Sequence, residues 1–305
     1  MAALLEAVPN VSEGRDLLTI EALRAVLSEH ASLVDVHVDP DHNRSVFTLL
    51  GDSQRLQQAL LGGIALARDR IDLRRHEGAH PCVGAVDVVP IVPLEPEQMD
   101  RAIRTATEVA TRIGTDLGLP VFLYGAAGEG RRPAFFRQGG VDGLRRRVEE
   151  GELTPDFGPP QLDPAFGAVL VGARPPLIAF NVDLASEDVA IAREIAAVVR
   201  ERGGGFPGVR ALGLALPSRG RVQVSMNVED WRAAPLHEIV SAIEREAGAR
   251  GVAVAGSELV GLLPAGAAAA AAAGPLRLAG LDASRILEAR VAEVGAGLGN
   301  AGERS

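Results

Sequence analysis

Hydrophobic positions along the chain up to Pro176 follow two periods in turn, and the change of period marks alternating strands and helices. Apolar residues at Leu17, Ile20, Leu23 and Leu27 have the spacing of an amphipathic helix. The same spacing predicts helices over Gly14–His30, Asp52–Asp72, Glu95–Leu117 and Val141–Glu150. Short apolar runs predict strands over Ala3–Val8, Leu33–Val38, Arg44–Leu50, Ala85–Val92 and Leu119–Tyr124. The rest of Gly125–Pro176, rich in Gly, Pro and Arg, is expected to be irregular.

The pattern becomes more regular after Pro175 and Pro176. Adjacent prolines lack backbone N–H donors and stiffen the chain, so they indicate a hinge between domains at 1–176 and 177–305. The second half predicts, in order, Leu177–Leu184 (strand), Ser186–Arg202 (helix), Val209–Leu216 and Arg221–Val228 (hairpin), Pro235–Ala249 (helix) and Val252–Val260 (strand). This β-α-β-β-α-β order is the ferredoxin-like plan. The seven alanines at 267–273 predict a further helix on propensity alone. The first half begins in the same order, so we expect an α/β (α+β) protein with two similar layers of sheet and helix.

Two predicted strands of the second half are polar on one face only. Along Leu177–Leu184, Asn181 and Asp183 share one face and the apolar residues share the other. Along Arg221–Val228, the polar face carries Arg221, Gln223, Ser225 and Asn227. A sheet with one solvated face explains this pattern, as does a hydrogen-bonding face that lines a cleft; the pattern alone favours the solvated face.

Composition and charge narrow the class of protein. The 305 residues are 47% hydrophobic, enough for a substantial buried core. The formal charge of −9 argues against nucleic acid as a partner, because phosphate contacts need a basic surface. One cysteine forms no internal disulfide, and no zinc-ligand spacing is present. We see neither a signal peptide nor a membrane span, and the expectation is a cytoplasmic protein.

The stretch His76–Pro90, here called the histidine segment, contains several side chains that could take part in catalysis. It holds two histidines and the only cysteine, Cys82, in a turn rich in Gly and Pro ahead of an apolar strand. Histidine titrates near neutrality, so an imidazole at a rigid strand end suits proton transfer at pH 7. The Pro and Gly context of His80 makes it the candidate acid–base residue, and Asp87 or Asp39 is a candidate to orient its ring. His76 either assists His80 or ends the preceding helix, and the structural role is preferred.

Other polar residues have simpler explanations. The group His37, Asp39, Asp41 and His42 matches no established metal-ligand spacing and suits a turn between two strands, so we predict no metal site. Cys82 offers a thiolate nucleophile as a rival to His80, although an isolated cysteine is more often a small packing residue.

A series of motifs along nearly the whole chain carries a family resemblance. In chain order they are EAVPNVSEG from Glu6, HNRSVFT from His42, the segment His80–Pro90 against a signature HPR-x-GA-x-DV-x-P, LYG from Leu123, PDFGP from Pro155, GAR from Gly172, LIAFN from Leu177, QVSMN from Gln223 and GSELVGL from Gly256. With these motifs the chain closely resembles the glutamate formimidoyltransferase (formiminotransferase) family.

The resemblance implies an activity and an architecture. It implies transfer of the formimino group from N-formimino-L-glutamate to N5 of tetrahydrofolate, with release of glutamate, in histidine degradation. Tetrahydrofolate is then a co-substrate, the partners are these small molecules, and a homodimer is expected. The implied fold is two subdomains whose sheets face each other across a folate tunnel. Animal relatives fuse the transferase to a cyclodeaminase, and we expect this chain to be the single-function form.

The resemblance also assigns residues. It implies that His80 is catalytic and that the segment Gly158–Gly167 contacts folate. The residues selected for binding substrate or folate are Asn10, Asn43, Arg44, Asp87, Tyr124, Asp156, Gly158, Pro159, Gly167, Asn181, Gln223, Ser225 and Asn227.

One position departs from the family signature. Cys82 stands where the signature has arginine. If that arginine contacts a substrate carboxylate, another arginine must replace it, and Arg44, Arg74 and Arg75 are the candidates. The departure keeps two alternatives open, which are an enzyme that uses 5-formyltetrahydrofolate and a non-catalytic folate-binding protein.

Overall fold

The computed structural model describes residues 4–302, and the chain divides into two compact units after Pro176. Ala3, the first residue of the predicted strand Ala3–Val8, lies outside the described residues, as do the outermost ends of the two predicted domains. The strands of the first unit are β1 Leu5–Ala7, β2 Asn10–Val11, β3 Ser32–Asp39, β4 Arg44–Gly51, β5 Val86–Pro93, β6 Val121–Gly125 and β7 Val169–Ala173. Its helices are α1 Leu17–Ser28, α2 Ser53–Arg70, α3 Met99–Asp116, α4 Pro133–Phe136 and α5 Gly140–Glu149.

The described strands of the first unit form one mixed sheet. β1 and β2 both pair with β4 and β5 and act as one strand interrupted at Pro9, which cannot donate to the ladder. The sequence of strands across the sheet is β3, β4, β1/β2, β5, β7 and β6. The first four positions follow the ferredoxin-like order, and β7 and β6 extend the sheet in parallel with β5.

Strand β7 corrects the prediction that Gly125–Pro176 is irregular outside its short helix. β7 lies between β5 and β6, and all five of its residues are buried. A parallel strand buried on both faces shows no polar–apolar alternation, so the period that predicted the other strands is missing here. Helix α4 and strand β2 also went unpredicted, because each is too short to show a period.

Helices α1, α2 and α3 cover one face of this sheet. Their core includes Leu23, Phe47, Ile64 and Val109. The side chain at the N-terminus of α2, Asp52, accepts a hydrogen bond from the N–H of Arg55 (2.9 Å), as predicted, and such caps contribute about 1 kcal/mol.

The opposite face of the sheet is only partly covered by helix. Phe122, Phe136, Leu144 and Leu170 form a separate apolar cluster there, with α5 packed on it. The other strands carry polar side chains on this face beside the cluster, including Asn10 and Arg44, because residues two apart on a strand share a face. This face carries the site described below.

The second unit has the predicted ferredoxin-like fold. Its elements are β8 Ile178–Leu184, α6 Val189–Val199, β9 Val209–Leu216, β10 Arg221–Val228, α7 Leu236–Ala249, β11 Val254–Val260, α8 Ala265–Ala271 and α9 Leu287–Gly302. The sheet order β11-β8-β10-β9, antiparallel throughout, is the order that a β-α-β-β-α-β chain produces. The predicted hairpin and the helix in the alanine run are confirmed, whereas α9 was not predicted. The α/β (α+β) class is confirmed.

The predicted faces of β8 and β10 are confirmed. Phe180 and Val182 of β8 and Val222 and Val224 of β10 are fully buried in the core of this unit. The polar residues occupy the other face, where Asn181 and Asp183 are more than 90% buried.

Among the helices of residues 4–302, none is both long enough and apolar enough to cross a membrane.

Candidate active site

A small cavity in the first unit joins the histidine segment to the ends of two strands. Its walls come from the end of β2, the turn between β3 and β4, the histidine segment and the start of β5. The lining residues are Val11, Ser12, His42, Asn43, Arg44, His76, His80, Cys82 and Asp87. The volume is about 10 Å³, which is roughly the room of one water molecule, so the cavity is the recess around the imidazole and not a complete substrate site.

His80 is held in one tautomer by its two hydrogen bonds. Its Nε2 lies 2.7 Å from Nη1 of Arg44, and its Nδ1 lies 2.9 Å from the carbonyl oxygen of Pro81. A guanidinium only donates and a carbonyl only accepts. Nδ1 therefore carries the proton and donates to Pro81, while the lone pair of Nε2 accepts from Arg44.

The surroundings of His80 keep its ring neutral. Burial and the positive charge of Arg44 lower the pKa of His80 well below its ordinary value of 6.5, and Arg137 acts in the same direction. His80 is thus a free base at pH 7, with its lone pair on Nε2. The two guanidinium groups also disfavour a metal cation next to this ring, because they add like charge.

Arg44 is fixed between the imidazole and a backbone-anchored amide. Its Nη2 donates to Oδ1 of Asn10, whose Nδ2 donates to the carbonyl oxygen of Val8 (2.7 Å). Burial lowers the pKa of Arg44 to about 10, so the guanidinium stays charged at neutral pH. Asn10 and Arg44 are thus brought to His80, as the motifs led us to expect.

The prediction that Asp87 or Asp39 orients the ring of His80 is wrong. Asp87 accepts hydrogen bonds from the N–H of Val83 (2.8 Å) and from Nη2 of Arg137, and not from His80. Asp39 accepts from the N–H groups of Asp41 and His42, both at 2.8 Å. The sharp turn after His80 brings the Pro81 carbonyl to Nδ1 instead, and Asp87 holds the backbone of the segment.

The histidine segment is pinned to the β3–β4 turn. Asn43, with a positive φ of 48° that asparagine tolerates, accepts from the N–H of Gly14 (2.9 Å) and donates to the carbonyl oxygen of Glu77 (3.1 Å). A Cβ on Gly78 would lie 2.3 Å from the carbonyl oxygen of His42, so this contact requires glycine. Asn43 also contacts His76, which supports the structural role preferred for that histidine.

Cys82 lies beside His80 but is poorly suited to act as a nucleophile. Burial raises the pKa of the Cys82 thiol, and the negative charge of Asp87 raises it further. The thiol form is therefore favoured at neutral pH, and the thiolate is the reactive species.

The predicted residues Tyr124, Asp156, Gly158, Pro159 and Gly167 do not line the cavity. Tyr124 is buried in the second apolar cluster, which raises its pKa to about 12, and Asp156 accepts from the N–H of Leu123 (2.7 Å). Gly167 lies nearer, since it forms a β-bridge with Gly84 of the histidine segment. Its φ of 77° and the Val83 carbonyl oxygen, 2.1 Å from where a Cβ would lie, explain the glycine.

The predicted residues of the second unit lie together on the polar face of its sheet. Asn181 stands opposite Ser225 in the β8–β10 register and donates to Glu258 (3.2 Å). Gln223 is fully buried and donates to Asp183 (2.9 Å). Asn227 lies at the exposed end of the same strand face.

Sequence reasoning missed two contributors to the His80 environment. Ser12 and Arg137 come from distant parts of the chain, and Ser12 Oγ donates to the carbonyl oxygen of Gly84 (2.7 Å). Ser12 belongs to the first motif, which was a usable signal. Arg137 follows α4 in a stretch with many arginines, and nothing in its neighbourhood singled it out.

Comparison with known proteins identifies the family of this chain. The family model described as "Formiminotransferase domain, N-terminal subdomain" matches residues 4–174, and "Formiminotransferase domain" matches residues 179–277. A "Glutamate formimidoyltransferase" of Streptococcus pyogenes serotype M1 is 38% identical over 87% of this chain and 90% of its own length. One of the same name from Thermoplasma acidophilum is 37% identical over 95% and 97%.

A longer relative matches as well. The "Formimidoyltransferase-cyclodeaminase" of Gallus gallus is 39% identical over 87% of this chain, which spans 51% of that relative. Both family models and the relatives of similar length describe the same two-part domain. The chain belongs to the formiminotransferase family.

Proposed function

We propose that this protein transfers the formimino group of N-formimino-L-glutamate to N5 of tetrahydrofolate and releases L-glutamate. The relatives of similar length bear the name glutamate formimidoyltransferase. The single observation that carries the proposal is His80, a neutral imidazole whose Nε2 lone pair accepts from Arg44 and whose pKa is lowered by burial and by the positive charges of Arg44 and Arg137. Such a group serves proton transfer between two nitrogens at neutral pH.

The reaction needs one base and one acid. N5 of the folate attacks the formimino carbon and forms a tetrahedral intermediate whose carbon carries three nitrogens, which are N5, the former imino nitrogen and the glutamate nitrogen. Nε2 of His80 takes the proton from N5 and then gives it to the glutamate nitrogen, and the bond between carbon and that nitrogen breaks. General acid–base assistance of this kind contributes about 10²–10⁴-fold, and holding both substrates together contributes further.

The folate is proposed to contact residues that take no part in proton transfer. The bridge between Gly167 and Gly84 joins the end of the segment Gly158–Gly167 to the histidine segment, which supports a folate contact there. Asn181, Gln223, Ser225 and Asn227 offer amide and hydroxyl groups suited to a polar ring. Asn43, Asp87 and Asp156 are proposed to act by positioning, because their side chains bind backbone groups.

A turnover assay tests the proposal. The purified protein, given N-formimino-L-glutamate and tetrahydrofolate, is expected to release glutamate in amounts equal to the formimino-folate formed. A protein that binds folate and releases no glutamate contradicts the proposal and favours the non-catalytic folate-binding alternative. Turnover of 5-formyltetrahydrofolate in place of N-formimino-L-glutamate favours the other alternative.

Replacing Cys82 by alanine is expected to leave kcat within about twofold of the wild-type value. The raised pKa of the buried thiol keeps it protonated, so it supplies no thiolate to accept the formimino group. Steady-state kinetics of the Cys82→Ala variant decide the point. Near-complete loss of turnover, in a variant that still binds folate, would support the covalent mechanism instead.

Three expectations describe the protein in its surroundings. A role in histidine degradation follows from the proposed substrate. The cytoplasmic location stays a prediction of the sequence pattern, and the homodimer stays a prediction of the resemblance.

A further inference from the structure

The proposed reaction places the α-carboxylate of the formimino donor close to the imidazole. In N-formimino-L-glutamate, the nitrogen that leaves is bonded to Cα, and Cα carries the α-carboxylate. An acid must come within about 2.6–3.2 Å of that nitrogen to protonate it. The α-carboxylate is only two bonds from the same nitrogen, so the group that binds it has to lie beside His80.

Arg44 lies in that position, and a second guanidinium, that of Arg137, is held at Asp87 in the lining of the same cavity. Nη1 of Arg44 is 2.7 Å from Nε2 of His80. Arg137 is held at Asp87, and its positive charge lowers the pKa of both His80 and Arg44, so it is in electrostatic range of both. Asp87 balances one of the two positive charges. With His80 neutral, these groups carry a net positive charge that one carboxylate would balance.

Both guanidinium groups also have spare donors. The Nε–H groups of Arg44 and Arg137 are buried, and across residues 4–302 neither meets an acceptor. Buried donors are nearly always paired in folded proteins, because an unpaired one costs free energy. A carboxylate offers about four acceptor sites and binds arginine in a bidentate manner.

We infer that Arg44 and Arg137 together bind the α-carboxylate of the formimino donor, and that this contact uncovers the base. In this structure a donor of Arg44 occupies the Nε2 lone pair of His80. When the α-carboxylate accepts from Arg44, the lone pair becomes available to the proton on N5. Arg137 supplies from another loop the positive charge that Cys82 lacks. The inference rests on the proposed function for the identity of the donor.

The other candidate arginines are excluded by their positions. Arg74 is exposed and forms a salt bridge with Asp72 (2.7 Å), and Arg75 is exposed. Neither lines the cavity, and neither is paired with a lining residue as Arg137 is with Asp87. Arg74 is therefore a matched control for an arginine near the histidine segment in sequence but outside the site.

The experiment compares two donors that differ by one group. N-formimino-4-aminobutyrate is N-formimino-L-glutamate without its α-carboxylate. The wild type is expected to prefer the glutamate donor in kcat/KM by about tenfold to a hundredfold, the range for a hydrogen bond to a charged group. Arg137→Gln is expected to reduce this preference to within a few-fold by raising the KM for the glutamate donor, with the KM for folate unchanged. Arg74→Gln is expected to keep the wild-type preference.

A second variant, Arg44→Lys, keeps the test decisive if Arg137→Gln does not fold. Arg44→Lys keeps the charge but loses the bidentate fork, and it is expected to lose part of the preference. If Arg137→Gln melts at the wild-type temperature and retains the full preference, the inference is overturned while the function stands. If Arg137→Gln does not fold, Arg44→Lys decides by the same comparison.

Calorimetry separates this inference from the proposed function. Titration of L-glutamate and of 4-aminobutyrate into the protein needs no turnover. Selective binding of L-glutamate that is lost in Arg137→Gln supports the carboxylate site even if the wild type shows no transfer. Equal binding of the two compounds by the wild type overturns it.

Discussion

Replacing His80 by alanine is expected to lower kcat for formimino transfer by about 10²–10⁴-fold, the usual contribution of a positioned acid–base group. Two proton transfers, from N5 and to the glutamate nitrogen, both depend on the Nε2 lone pair that Arg44 and Pro81 orient. The KM for folate is expected to change little, because His80 is proposed to transfer protons and not to bind the folate. Stopped-flow or steady-state kinetics of the His80→Ala variant measure the loss. His30→Ala, an exposed histidine at the end of α1, is the matched control and is expected to keep full turnover.

The pH dependence of the wild type checks the same residue independently. Burial and Arg44 lower the pKa of His80, so its base form persists below pH 6.5. The acidic limb of the kcat/KM profile is therefore expected to fall below pH 6.5, and the residual activity of His80→Ala is expected to lack that limb. Activity in the alanine variant that matches the wild type would remove His80 from the mechanism and leave the function intact.

Replacing Glu6 by glutamine is expected to stabilise the protein at alkaline pH. Glu6 is 7% exposed, and burial raises its pKa from 4.5 to about 7, although the positive charge of Arg174 opposes the shift. The folded state therefore favours the protonated carboxyl. This contribution to stability is present below pH 4.5 and is lost as the pH rises through about 7. Glutamine removes the ionisation, so the gain at about pH 8.5 is expected to approach 3 kcal/mol.

Urea denaturation at two pH values measures this difference. At about pH 5 the variant and the wild type are expected to differ by less than about 1 kcal/mol, since folded Glu6 is protonated there. Circular dichroism follows both units, and fluorescence of Trp231, the only tryptophan, reports the second unit separately. Glu97→Gln, at an exposed carboxylate of the same unit, is the control and is expected to show no such pH dependence. A Glu6→Gln variant with the same stability difference at both pH values contradicts the prediction.

Local patterns in the sequence were sufficient to predict a helix or strand wherever that element has one buried and one exposed face. The elements from β8 to β11 were predicted to within a few residues because β8 and β10 alternate and α7 has a helical apolar stripe. The cap at Asp52 was predictable for the same reason, since it depends on its own helix. Strand β7 was not, because burial on both faces removes the alternation.

The candidate site divides in a similar way. His80, Arg44 and Asn10 were selected from motifs, and the structure brings them within hydrogen-bonding contact of one another. The orientation of the ring was predicted wrongly, because a carboxylate partner is the common arrangement and the Pro81 carbonyl becomes available only through the local turn. Arg137, in turn, meets Asp87 across 50 positions of chain, a distance over which no local pattern acts.

The sequence by itself therefore determined the order of most helices and strands, the family, and the residue that we propose for the proton chemistry. These follow from local periodicity and from short motifs, both of which can be recognised from residues that are close together in the sequence. Only the tertiary structure decided which tautomer His80 adopts, that its pKa is low, and that Arg137 joins Arg44 beside it. Those properties arise from burial and from charges that folding brings together from distant segments. The spacing of neighbouring residues predicts neither the burial nor these contacts.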